Sequence, residues 1–113
     1  VKALLNAWYR QRAEQWLSAR HQECLPLIEG WGLPAPRLVA RPMSRRWGSY
    51  SRTGIITLNS DLIRAPRACM DYVILHELCH LRHPNHTRKF YAQLESLMPD
   101  WKKQKLRLEK LLS

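Results

Sequence analysis

The apolar and polar positions divide the chain into a helical opening, an extended centre and a helical close. In "VKALLNAWYRQRAEQWL", Leu4, Leu5, Trp8 and Trp16 fall at helical spacing and predict one apolar face. A second helix is predicted over "SARHQECLPLIEGWG", with Ser18 as its N-cap and Gly30 and Gly32 as its stops. Pro26 sits badly inside that helix and is an alternative boundary. The centre has β-type runs near Arg37–Arg41 and Arg46–Tyr50, then the turn signal "SRTG", then "IITLN". These runs predict a small antiparallel sheet, with Gly54 taking the positive φ of the turn.

Beyond Pro66 the helical period returns and carries through "RACMDYVILHELCHLRH" to Pro84, which disfavours helix at His83. Thr87 is placed to cap a further helix with Phe90, Leu94, Leu97 and Met98 on its apolar side. Pro99 ends it, and "DWKKQKLRLEKLLS" predicts a basic helical tail. The order of elements is that of an α+β fold in one domain spanning residues 1–113.

The helix after Pro66 holds an unusual set of side chains. Ile74, Leu78 and Leu81 form a core-facing stripe, widened by Val73, Leu75 and Cys79. His76 and His80 lie four residues apart and so share a face, with Glu77 beside them. Two imidazoles and a carboxylate on a mostly buried helix are costly without compensation, and a divalent cation supplies it. H-E-x-x-H on a helix is the zincin pattern, with the histidines binding zinc and the glutamate acting as general base. The alternative is a pair of core histidines with a locally paired glutamate. A chance match is expected in roughly one of several hundred chains of this size.

A catalytic zinc takes a third protein ligand. His86, six residues past His80 and beyond the turn at Pro84, is the first choice. Glu95 on the following helix is the second, and His83, near the helix end, is the third. Tyr50, His83 and Tyr91 are candidates for an additional electrophile, and Asn59, Asp71 and Asn85 for hydrogen-bond acceptors behind the histidines.

Charge adds a second theme. Among 113 residues there are 19 Lys and Arg against 9 Asp and Glu, a formal net charge of +10. That excess favours acidic partners or nucleic acid, although no nucleic-acid motif accompanies it. Cys24, Cys69 and Cys79 form no C-x-x-C pair, which argues against a disulfide framework or a cysteine zinc ribbon and for a reducing, cytoplasmic setting. No apolar run is long enough to cross a membrane. The chain begins at Val1 and is read as the C-terminal part of a longer protein.

The motifs "RRWGSYS", "GIITLN", "LIRAP", "DYVILHELCHLRHPNH" and "FYAQLESLMPDWKK", in this order, resemble the YgjP-like zincin metallopeptidases, a group related to the minigluzincins, WLM domains and SprT-like proteases. The resemblance runs from about Trp8 to Trp101. It implies a zincin-like fold with N-terminal helices, a small sheet and an active-site helix beneath it. It also implies a third ligand at the "NH" histidine, here His86. Family members usually carry cysteine where this chain has Tyr50 and serine where it has Thr87; neither change removes a ligand or the base. Zincins pair an extended peptide with an edge strand, for which Trp47–Tyr50 and Ile55–Asn59 are the candidates. Trp47 itself is read as a core or hairpin aromatic.

The expected function is therefore zinc-dependent peptide hydrolysis, with Zn2+ on His76, His80 and His86, Glu77 as general base, and a protein or peptide as substrate. The alternatives are a basic DNA-associated or nucleic-acid-binding module with a structural metal, and a partner-binding scaffold with a vestigial site. WLM and SprT-like relatives act on DNA-linked proteins, which joins the first alternative to the protease reading.

Overall fold

The computed structural model describes residues 2–112. Helix α1, Lys2–Cys24, runs unbroken through Ser18, where the sequence suggested a new start. Its buried stripe is Ala13, Leu17, His21 and Cys24, at intervals of four, four and three. Trp8 and Trp16 are 59% and 54% exposed, so the apolar face expected from them is not the face that packs. The side chains of Leu4 and Leu5 lie outside the described residues. Pro26, which has no amide to donate, comes where the α-helix gives way to a 3-10 segment, Leu25–Trp31. Gly32 closes that segment at φ 67°, a left-handed conformation suited to glycine.

Strand β1, Arg37–Arg41, is set off by Pro36 before it and Pro42 after it. Strand β2 spans Gly48–Ser51 and β3 spans Ile55–Asn59, joined by a turn in which Gly54 has φ 85°. The sheet is mixed, not purely antiparallel. Its order is β1-β3-β2, with β1 parallel to β3 and β2 antiparallel to it. The last strand thus lies in the middle, and Ile55–Asn59 is not an edge. Of the two candidate edges only the run containing β2 is one. Asn59 closes β3: its side-chain amide donates to the carbonyls of Met43 and Arg46, both at 2.9 Å, and its oxygen accepts from the Asp61 amide. The 3-10 turn Ser60–Arg64 follows.

Helix α2, Arg67–Cys79, is the centre of the domain. It touches α1, β2, β3, helix α3 (Arg88–Leu97) and helix α4 (Trp101–Leu112). Contacts on so many sides explain why nine of its thirteen residues are buried. The core joins Leu17 of α1, Ile56 and Leu58 of β3, Leu62, Ile74 and Leu78 of α2, and Phe90 and Leu94 of α3. Arg20 on α1 clasps Asp71 on α2 through two bonds of 2.8 and 2.9 Å. That carboxylate raises the arginine pKa further. Among the described residues no helix is long and apolar enough to cross a membrane.

Candidate metal centre

Helix α2 stops at Cys79, a turn earlier than Pro84 alone would require. The chain leaves it through a tight turn in which the amides of Leu81, Arg82 and His83 bond back to Leu78 and Cys79. His80 is the C-cap residue and still has helical φ and ψ, so it remains one turn beyond His76 on the same face. The turn also directs the His83 carbonyl back toward the helix. Only a donor can face that oxygen at 3.1 Å, so Nδ1 of His80 carries the proton and Nε2 is left with its lone pair. Nδ1 of His76 lies 3.2 Å from the Glu77 carboxylate, a contact that suits the tautomer with the proton on Nδ1 and Nε2 free to ligate.

The segment Pro84–His86 reverses the chain, and the Thr87 side chain accepts from the Phe90 amide to start α3. The reversal brings His86 over the first two histidines. Its Nε2 is 3.0 Å from Nε2 of His80, and one ring nitrogen from each of His76, His80 and His86 lies within 4.8 Å of the others. Two lone pairs at 3.0 Å repel unless a proton or a metal stands between them. A zinc ion with Zn–N distances of about 2.0–2.1 Å suits that spacing and an all-imidazole donor set. Burial, followed by the neighbouring imidazoles, lowers the pKa of His86 and favours the neutral, ligating form. The residues fit a zinc ion.

Beneath the three rings lies Phe90, wholly buried, with ring centroids 5.0, 4.8 and 4.8 Å from those of His76, His80 and His86. Tyr72 approaches His76 edge-on, and burial raises its phenol pKa to about 12, so it stays neutral. Strand β2 forms one wall. Gly48 sits so close that a Cβ there would meet Val73, Glu77 and Leu58 at 3.1–3.2 Å, and Tyr50 stacks over His80 with centroids 6.2 Å apart. Glu77 is only 6% exposed.

The remaining candidates fall outside the cluster. Glu95 is exposed on α3 beside Arg88, Tyr91, Ala92, Trp101 and Lys102. His83 contributes its carbonyl and not its ring. Of the suggested acceptors, Asp71 is committed to Arg20 and Asn59 to the loop before β2; the main-chain oxygen of His83 takes that role for His80. Tyr91 is near His86 but stacks on Trp101, centroids 5.3 Å apart. Trp47 is a half-buried core neighbour. The three cysteines are free and buried, and burial raises the thiol pKa of Cys24 and Cys79 to about 12. Sequence reasoning missed the Phe90 floor, the close approach of Gly48 and the His83 carbonyl. Only the first had a signal, an aromatic four residues after His86.

The sequence profile of the YgjP-like metallopeptidase domain matches residues 1–111. Among solved structures, the metallopeptidase zymogen abylysin of Pyrococcus abyssi is similar, with a TM-score of 0.74 and 23% identity over 85% of this chain and 94% of that one. Jannalysin of Methanocaldococcus jannaschii, also described as a metallopeptidase zymogen, gives 0.73 and 21% over 86% of this chain and 97% of its own. At these identities the likeness is one of fold. No curated protein matches the sequence.

Proposed function

Because the chain belongs to the YgjP-like metallopeptidase family, we propose that it is a zinc-dependent endopeptidase with His76, His80 and His86 as metal ligands and Glu77 as general base. The observation that carries this reading is the convergence of three imidazole nitrogens within 4.8 Å, beside a nearly buried carboxylate on the same helix. When bound, zinc supplies Lewis acidity, which activates a water and polarises the scissile carbonyl.

The protein's own residues do the rest. Hydrogen bonds to His83 and Glu77 hold two imidazoles in the tautomer that presents Nε2. Glu77, packed against Gly48 on one side, has few positions open to it. Its carboxylate oxygen takes a proton from the attacking water and delivers it to the leaving amine nitrogen. The free edge of β2 offers unpaired main-chain groups to an extended peptide, which would pass beside His80 and Glu77. A strand pairing along an open edge requires no chain terminus at the site, which favours cleavage within a chain.

The test pairs metal content with proteolysis. Wild type should bind one zinc per chain and hydrolyse peptides. Glu77→Gln should keep the zinc and the fold and lose at least about 100-fold in rate. Undiminished hydrolysis by Glu77→Gln would remove the general-base assignment, and a wild type that binds no zinc would remove the whole reading.

A further inference from the structure

The stretch between Glu29 and Asp61 contains five arginines, Arg37, Arg41, Arg45, Arg46 and Arg52, and no acidic residue. It is also the stretch that builds the wall of the site. Arg45 and Arg46 immediately precede β2, and Arg52 occupies the turn that follows it; all three are exposed. Among the described residues none of them pairs with a carboxylate. Asn59 fixes the backbone beneath the first two by holding the carbonyls of Met43 and Arg46. With Arg41, Pro42, Met43 and Ser44 these two line an open hollow of about 550 Å³.

Uncompensated cations at both ends of one edge strand are costly through mutual repulsion, and Arg45 and Arg46 are adjacent. Bland surface charge would be interspersed with acids, as it is on α4, where Lys105 and Glu109 face each other. Here five arginines run from Arg37 to Arg52 with no acid among them, along the stretch where a substrate strand would lie. Resting on the peptidase reading above, we propose that Arg45, Arg46 and Arg52 select peptide substrates carrying acidic side chains on both flanks of the cleaved bond. From Arg46 to Arg52 the chain advances six residues, about 20 Å at strand rise. A peptide paired along β2 therefore presents acidic side chains about six residues apart to the two ends, whichever way it runs. Arginine suits this task because its planar fork binds a carboxylate through two parallel bonds.

The experiment uses the full chain, zinc-loaded, with ten-residue fluorogenic peptides that differ only at the flanking positions: Asp, Asn or Lys. Wild type should show kcat/KM about tenfold or more higher for Asp than for Lys peptides at low salt, and the gap should narrow as salt rises. The triple variant Arg45→Gln, Arg46→Gln, Arg52→Gln should bring the ratio close to one. Removing three charges elsewhere, by Arg10→Gln, Lys103→Gln and Lys105→Gln, should leave the ratio as in wild type. Binding of the same peptides, labelled, to Glu77→Gln is read by fluorescence anisotropy and does not depend on turnover. Selective binding of Asp peptides there supports the proposal even if wild type cleaves nothing, a result that would count against the peptidase reading alone. Equal binding of Asp and Lys peptides overturns the proposal. So does a single-stranded oligodeoxynucleotide that binds more tightly than the Asp peptide, displaces it and depends on the same arginines, since nucleic acid would then be the occupant.

Discussion

The main-chain oxygen of His83 lies 3.1 Å from Nδ1 of His80 and sets which nitrogen of that ring is bare. A backbone atom does this, so the His83 side chain is dispensable for it. His83→Ala should keep the zinc affinity of wild type. His86→Ala should lower it by more than the 10–100-fold typical of groups that only orient a ligand. Zinc titration against a competing chelator separates the two, and a larger loss in His83→Ala would exchange their roles.

Phe90 stands almost equidistant from three imidazoles, and its packing limits how each can tilt. Phe90→Leu keeps an apolar filler of similar volume and should cost about 1–1.5 kcal/mol in stability. Its effect on zinc should be out of proportion, because ligand geometry depends on rotamers locked by packing. Urea unfolding of the metal-free protein together with zinc affinity of the folded protein checks both parts. A stability loss with unchanged affinity would make Phe90 a core residue and nothing more.

Gly48 is required for contact and not for its φ, which is not positive. A methyl group there must displace Val73, Glu77 or Leu58 by a few tenths of an ångström. Gly48→Ala should cost about 1 kcal/mol, at the low end for overpacking, and should lower kcat more than it raises KM because it pushes on Glu77. Thermal unfolding and steady-state kinetics on one peptide are sufficient to decide this.

His21 is buried on α1 with Nε2 unpaired, and burial lowers its pKa. An unfolded chain takes up this proton from about pH 6.5 downward, whereas the folded chain resists it. The unfolded state then holds more protons, so stability is full above about pH 6.5 and declines as pH falls below it. Denaturation of the EDTA-treated protein, in which pH-dependent zinc binding no longer contributes, should show this decline, and the difference from His21→Leu isolates the share of His21 from that of the freed ligand histidines. His21→Leu should flatten it, and an unchanged slope in that variant would assign the decline to other groups.

Much of the site is legible in the sequence because its logic is local. H-E-x-x-H reads as one face of a helix from spacing alone, and Pro84 and Thr87 mark the reversal that carries His86 back. Ile55–Asn59 and Gly54 are likewise local signals. What escapes is set by distant partners. Ser18 looks like a cap, yet α1 continues through it because Leu17 and His21 are both drawn into the core. The parallel pairing of Arg37–Arg41 with Ile55–Asn59 has no turn to announce it. Trp8 and Trp16 satisfy the helical period on a face that stays more than half exposed. A backbone acceptor such as the His83 carbonyl has no letter in the sequence.

The position of β3 between its two predecessors has a consequence for synthesis. A chain leaving the ribosome exposes β1 and β2 before the strand that joins them exists, since neither pairs with the other. For that interval both are open edges, available to any extended segment nearby. Pro36 and Pro42 bracket β1, and Arg37, Arg41, Arg45 and Arg46 load the same stretch with one sign of charge, so two nascent copies repel where they would otherwise zip together. Arg45 and Arg46, assigned above to substrate choice, would then act first, with Arg37 and Arg41, as chaperones of their own sheet, until Ile55–Asn59 emerges and closes it.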